Sequence, residues 1–166
     1  MDLKTEILQI LTEAKDEIIS NIDSQGIRAS GRTQNSLKVE DRGEHLVLVQ
    51  DSTGAPFETL QYGREGGKVP IGFREIIKQW IIDKGISTKP IDYKRIPSAR
   101  WQPKYTPAER GLLAAAGAIA EKIKKSGTDR FTQPNENVYS DVLEDVILKI
   151  EELVENLYGV EINVRK

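Results

Sequence analysis

Few residues in this chain are of types that do chemistry. The one histidine, His45, stands alone, and there is no cysteine. One imidazole without a thiolate cannot build the usual zinc site. A Ser-His-Asp hydrolase or a His-dependent nuclease would need everything from this single residue. Its place beside a turn makes it a surface residue. Glu40, Asp41, Glu44, Asp51 and Glu58 lie around it in sequence. Carboxylates can hold Mg²⁺ without histidine, but their spacing matches no ligand pattern and reads as ordinary turn and strand-edge polarity. A small hydrolase or nuclease using Asp51 or Glu58 is the third-ranked function. Gly63-Arg64-Glu65-Gly66-Gly67-Lys68 has the composition of a phosphate loop. Lys68 is followed by Val69 and Pro70, however, and no strand-to-helix context surrounds it. Without cysteine, disulfides and thiolate catalysis are excluded. The expectation is a protein that is not an enzyme and takes no cofactor and no metal.

The residues suited to binding are more prominent. From Lys84 to Lys104 there are six bases and one acid, interleaved with Tyr93, Trp101 and Tyr105. Arginine and aromatics together can neutralise phosphate and stack on bases. The same residue types dominate protein–protein hot spots. No recognised nucleic-acid fold surrounds the segment, so an inter-subunit arm is the preferred reading. A nucleic-acid-binding accessory protein using the basic middle is the alternative. The formal charge is −2 overall, made of −4 in residues 1–25, −5 in 136–166 and +7 between them. Such blocks are commonly solvated faces, but acidic ends around a basic middle can also steer one surface toward an oppositely charged neighbour.

These residues must be positioned by a fold, and 166 residues suit a single domain of 1–166 with an extended arm or linker at about 85–105. Leu3, Ile7, Ile10, Leu11, Ala14, Ile18 and Ile22 recur at helical spacing and predict an amphipathic helix over 2–23. Residues 28–36 read as a loop or one helical turn. Leu37–Asp41 and His45–Gln50 predict a hairpin turning at Arg42 and Gly43. Leu46-Val47-Leu48-Val49 is apolar at successive positions. This suits a strand covered on both faces, or one with a face held for a neighbouring subunit. The Gly/Pro-punctuated stretch 51–72 is expected to hold a further strand or short helix. Ile76, Ile77, Trp80 and Ile81 predict a helix over 73–84.

Thr106-Pro107-Ala108-Glu109 carries the strongest local signal, an N-cap, a first-turn proline and a capping box. The helix it opens should end at Gly127, and its small middle, Leu113–Ala118, allows close packing. A last helix over 137–158 has Val138, Val142, Val146, Ile150, Leu153 and Leu157 on one stripe, flanked by Leu143, Ile147 and Val154. Val160–Val164 alternates as a terminal strand. Helices and strands do not alternate regularly, so the class is α+β: a small antiparallel sheet packed against amphipathic helices. Met1–Glu6 lacks the apolar run of a signal peptide. No stretch approaches the ~18 apolar residues of a membrane span.

Three short motifs in this order resemble the tail-completion (head–tail joining, minor tail) family of tailed phages. The first is Ser30-Gly31-Arg32-Thr33-Gln34-Asn35-Ser36-Leu37. The second is Gln61-Tyr62-Gly63-Arg64, which in the family ends a strand. The third is Ile119-Ala120-Glu121-Lys122-Ile123-Lys124-Lys125-Ser126-Gly127-Thr128, followed by Arg130-Phe131. The stretch 73–105 is longer than the family's compact core. The resemblance implies a structural virion protein of the neck or tail, made in the host cytoplasm. It implies a homo-oligomeric ring, a hexamer or dodecamer, between portal (connector) and tail proteins. DNA would pass through the ring without sequence-specific binding, and no membrane would be involved. Arg28, Arg32, Arg64, Tyr93, Arg95, Arg100, Trp101 and Tyr105 are the residues expected at subunit or portal contacts.

Overall fold

In the computed structural model, residues 2–54, 56–94, 100, 102–132 and 137–159 are described. The elements run α1 (Leu3–Ser24), α2 (Arg32–Ser36), β1 (Leu37–Asp41), β2 (Leu46–Gln50), α3 (Phe57–Tyr62), α4 (Phe73–Asp83), α5 (Pro107–Ser126), α6 (Asp129–Thr132) and α7 (Ser140–Tyr158). The class is α+β, with the hairpin packed against helices as expected. The expected terminal strand at Val160–Val164 lies outside the described residues. The chain forms two compact units, a terminal one of Met1–Gln61 with Asn135–Lys166 and a central one of Tyr62–Pro134.

The terminal unit is built on α1. Its stripe of Ala14, Ile18 and Ile22 is buried together with Leu37 of β1, Leu60 of α3, and Val138, Val142 and Val146 at and within α7. Burying a side chain the size of Ile18 or Ile22 contributes about 1.5–3 kcal/mol, so this cluster is the unit's main source of stability. Phe57 meets Tyr139 edge-on, with ring centroids 5.2 Å apart. β1 and β2 are antiparallel, Leu37 opposite Gln50 and Asp41 opposite Leu46. All five β2 residues are half-buried, and Leu48 packs on the core. The strand is therefore not enclosed on both faces; the successive apolar residues serve one packed face and one partly open one.

The central unit pairs α4 with α5. Ile77 and Ile81 of α4 and Ala116 of α5 are buried, with Phe73, Leu112, Ile119 and Ile123 around them. The small middle of α5 thus allows close approach to α4. The capping box that opens α5 is fully formed: Thr106 Oγ1 accepts from Glu109 N at 3.2 Å, and Glu109 Oε2 accepts from Thr106 N at 2.7 Å. The Thr106 backbone N–H foremost, and the Thr106 hydroxyl after it, hold the Glu109 carboxyl below the usual carboxylate range.

The segment after α4 has no helix or strand among its described residues, yet its first half is tied down. Ile91 N donates to Pro107 O at 2.9 Å. Arg110 Nη1 donates to the carbonyls of Ile91 (3.0 Å) and Asp92 (2.7 Å). Tyr93 lies under the Arg110 guanidinium, 4.0 Å from ring centroid to Cζ, and its hydroxyl donates to Tyr105 O at 2.8 Å. Gly111, in the first turns of α5, faces the Lys89 carbonyl so closely that a Cβ would overlap it. Residues 86–94 therefore form a strap laid along the start of α5.

The two glycines of α5 should respond oppositely to alanine. Around Gly117 a Cβ would find only the Arg74 side chain, at 3.4 Å and beyond. Gly117→Ala should then show the ordinary helix-propensity gain of about 0.5–1 kcal/mol. Gly111→Ala should destabilise, because the strap must move. Urea midpoints of the two variants check this, and a gain for both would mean that the strap does not press on α5.

Candidate functional site

The second and third motifs meet in the central unit. Thr128 N donates to Arg64 O at 2.8 Å, and Arg64 N donates to Thr128 Oγ1 at 2.8 Å. Gly67 N donates to Lys124 O, also at 2.8 Å. This closure needs glycine on both sides. Gly63 (φ +75°) and Gly127 (φ +79°) lie in the left-handed region, where a side chain is strained. A Cβ on Gly63 would stand 2.5 Å from Phe131 N, and one on Gly127 would overlap Arg64 O. A Cβ on Gly66 would come within 2.8 Å of Lys125 O. Gly63 and Gly66 of the phosphate-loop-like stretch thus admit the chain's own backbone.

Gln61-Tyr62-Gly63-Arg64 ends helix α3, not the strand expected from the resemblance. Phe57, Leu60 and Gln61 turn toward the terminal unit's interior at helical spacing, which a strand could not achieve. Gln61 itself is 5% exposed, and its amide is fully used. Its Oε1 accepts from Val138 N at 2.7 Å and from Tyr139 N at 3.1 Å. Its Nε2 donates to Ser140 Oγ at 3.0 Å and to Asn137 Oδ1. This side chain caps the start of α7, where backbone N–H groups otherwise lack partners. Adjacent residues of one motif therefore close both units: Gln61 closes the terminal one, and Gly63 and Arg64 the central one.

The first motif sits in the terminal unit. Gly31 opens α2, Gln34 Nε2 donates to Asp23 Oδ1 at 3.0 Å, and Ser36 is buried with its hydroxyl donated to Thr33 O at 2.6 Å. The motif anchors the hairpin to the end of α1.

The residues expected at subunit or portal contacts divide between the units. Arg28 is exposed, its Nη1 3.5 Å from Asp23 Oδ1, and Arg32 is exposed, its Nε donating to Ser30 Oγ at 3.0 Å. Arg64 is turned inward on its own unit: its guanidinium donates to Lys68 O and lies 5.2 Å from the Phe73 ring centroid. Tyr93 holds the strap. Tyr105 is 39% exposed beneath the Lys104 ammonium, and Arg100 is exposed in a turn. Arg95 and Trp101 lie outside the described residues.

Three of the carboxylates around the hairpin have cationic or hydroxyl neighbours. Asp41 pairs with Lys4 at 2.7 Å, Glu40 with Arg42 at 2.8 Å, and Asp51 with Lys38 at 3.2 Å and with the Thr53 hydroxyl. Hydrogen bonds from Lys4 and from Thr53 hold Asp41 and Asp51 respectively below the usual carboxylate range. Among the described residues, no three His, Asp or Glu side chains are grouped to hold a metal ion. No described helix is long and apolar enough to cross a membrane.

Two surface features noted in the sequence take shape in the structure. The first is charge by unit. The central unit carries fifteen bases and seven acids, a formal +8; the terminal unit carries nine and nineteen, −10, which together give the chain's −2. The second is apolar exposure: Leu143 (42%), Ile147 (51%) and Leu157 (48%) on α7 remain in solvent, as do Ile86 (45%) and Ile91 (40%) on the strap. The excess of apolar residues flanking the main α7 stripe was the available signal. No family model, curated protein or solved structure matches the chain.

Replacing Gln61 with leucine keeps the bulk but leaves Val138 N and Tyr139 N without their acceptor. The expected cost is about 2–3 kcal/mol, read as a lower urea midpoint with an unchanged slope. An unchanged midpoint would show that water or a neighbour replaces the amide.

Proposed function

We propose that this chain is a non-enzymatic structural subunit of a tailed-phage particle, forming a ring in the neck or tail-completion position around the DNA channel. The observation that supports the reading is the junction of Gly63-Arg64 with Gly127-Thr128. Two motifs that carry the resemblance to tail-completion proteins, far apart in sequence, are used together and for one purpose. They close a backbone joint that needs glycine and offers no reactive group. A chain that places its special residues in such joints, and its apolar and charged residues on open surfaces, suits assembly rather than turnover.

Ring formation has a physical counterpart in the charge division. Closed rings grow from heterologous contacts, in which one surface patch meets a different one on the next copy. A −10 unit and a +8 unit in one chain supply two unlike patches of opposite sign. Partners on this reading are further copies of the chain in a hexamer or dodecamer, portal and tail proteins on either side, and DNA passing through. The +8 unit also favours a second reading, a nucleic-acid-binding accessory protein, whose binding would fall steeply with salt.

Mass spectrometry of purified particles of the encoding phage separates these. The ring reading expects the chain as a stoichiometric component, retained after the packaged DNA is removed by nuclease. Absence from particles, or release together with the DNA, would overturn it.

A further inference from the structure

The apolar arc of α7 is wider than α1 covers. At about 100° per residue, Val142, Val146 and Leu153 share one narrow sector. Val142 and Val146 there are buried in the terminal unit's core. Leu157, Leu143, Ile147 and Tyr158, between 42% and 64% exposed, share the adjacent sector with Ile150 and Val154, which are half-buried, Ile150 against the core. Beyond them on the same turn of the wheel come Glu144, Glu151 and Glu155. The helix thus has an inner edge that is used and an outer edge that is apolar with an acidic border. A contiguous apolar edge of this kind marks an interaction surface.

The strap and the residues after it have the complementary pattern. Ile86, Ile91 and Tyr105 are 45%, 40% and 39% exposed. Lys89, Lys94, Arg100 and Lys104 are exposed among them. Apolar groups alternate with bases, where on α7 apolar groups are bordered by acids. The strap's backbone is already fastened to α5 through Arg110, Ile91 and Tyr93. It therefore presents Ile86, Lys89, Ile91 and Lys94 on a backbone already fixed to α5, which lowers the entropic cost of docking.

We infer that the outer edge of α7 docks on the basic strap at 86–94, with Lys104 and Tyr105 joined to it through Tyr93, of a second copy of this chain. The inference rests on the ring reading and names the surfaces that join its subunits. Pairing of α7 with another α7 is disfavoured by charge: the helix holds six acids and one base, Lys149, so two copies would oppose carboxylates. Strap against strap opposes cations in the same way. The unlike pairing removes both repulsions and buries apolar surface. It leaves the first copy's strap for another copy, so the contact propagates in one direction and can close into a ring.

Charge exchange on the full chain tests this. Light scattering at low salt and at about 1 M salt gives the assembly state of four proteins: the native chain, Glu144→Lys with Glu151→Lys, Lys89→Glu with Lys104→Glu, and the four changes together. Circular dichroism checks that each is folded. The native chain should assemble at low salt and loosen at high salt. Each double variant should need at least about tenfold more protein to assemble. The fourfold variant should recover, since it restores opposite signs. Ile147→Asp should also dissociate the assembly, and salt should not repair it. Double variants that assemble and enter particles as the native chain does would overturn this joint while leaving the ring reading intact. Double variants that fail with no recovery in the fourfold protein would also overturn it. A native chain that stays monomeric and is absent from particles would remove both. A monomeric chain that binds duplex DNA through Lys89 and Lys104 would assign the strap to nucleic acid instead.

Discussion

The buried amide of Gln61 is the constraint on which the terminal unit depends. It satisfies two backbone donors at the start of α7 and reaches Ser140 and Asn137 with its other end. Without it, the turn that brings Val138 into the core would carry unpaired N–H groups in a place water does not reach. Val138 is fully buried there and packs in the cluster containing Ile18 and Ile22 of α1. A single polar side chain therefore fixes the direction in which α7 leaves, and so which of its faces meets α1 and which does not.

The central unit uses a different device. Its closures are made where backbone approaches backbone, and side chains are absent because there is no room for them. Gly63 and Gly127 permit the Arg64–Thr128 pair, and Gly111 permits the strap to lie on α5. Joints of this kind use backbone and glycine, and charge and apolar groups stand on the surface. The chain's positive charge gathers on this unit and its negative charge on the other. Opposed charge on separate compact units favours association of unlike surfaces over like ones.

Much of this was legible in the sequence. Helical spacing of Leu3 to Ile22 and of Val138 to Leu157 located α1 and α7, and the Thr106-Pro107-Glu109 signature located α5. Two strand-like runs on either side of Arg42 and Gly43 located the hairpin. These signals are local, set by neighbours within a turn or two. Other features depend on distant partners and left weaker traces. The element at Phe57–Tyr62 is a helix because three side chains must reach the same core, and six residues are too few for periodicity to decide. Gln61 looked like an ordinary polar residue, since its partners lie 76 to 79 positions away. The linker's bases and aromatics spoke for an arm. Its fastening to α5 depends on Arg110 and Gly111, which have no special spacing relative to it. Arg64, expected at a contact, is turned onto Lys68 O and the Phe73 ring, partners that its sequence neighbourhood did not announce.

The central claim is that this chain is a ring subunit whose special residues hold structure and whose open surfaces hold neighbours. Electron microscopy of the purified full chain, concentrated at low salt, addresses it most directly. The account predicts closed rings of one symmetry with an axial channel wide enough for duplex DNA. A chain that remains monomeric under those conditions, or that forms symmetric dimers without a channel, would contradict it.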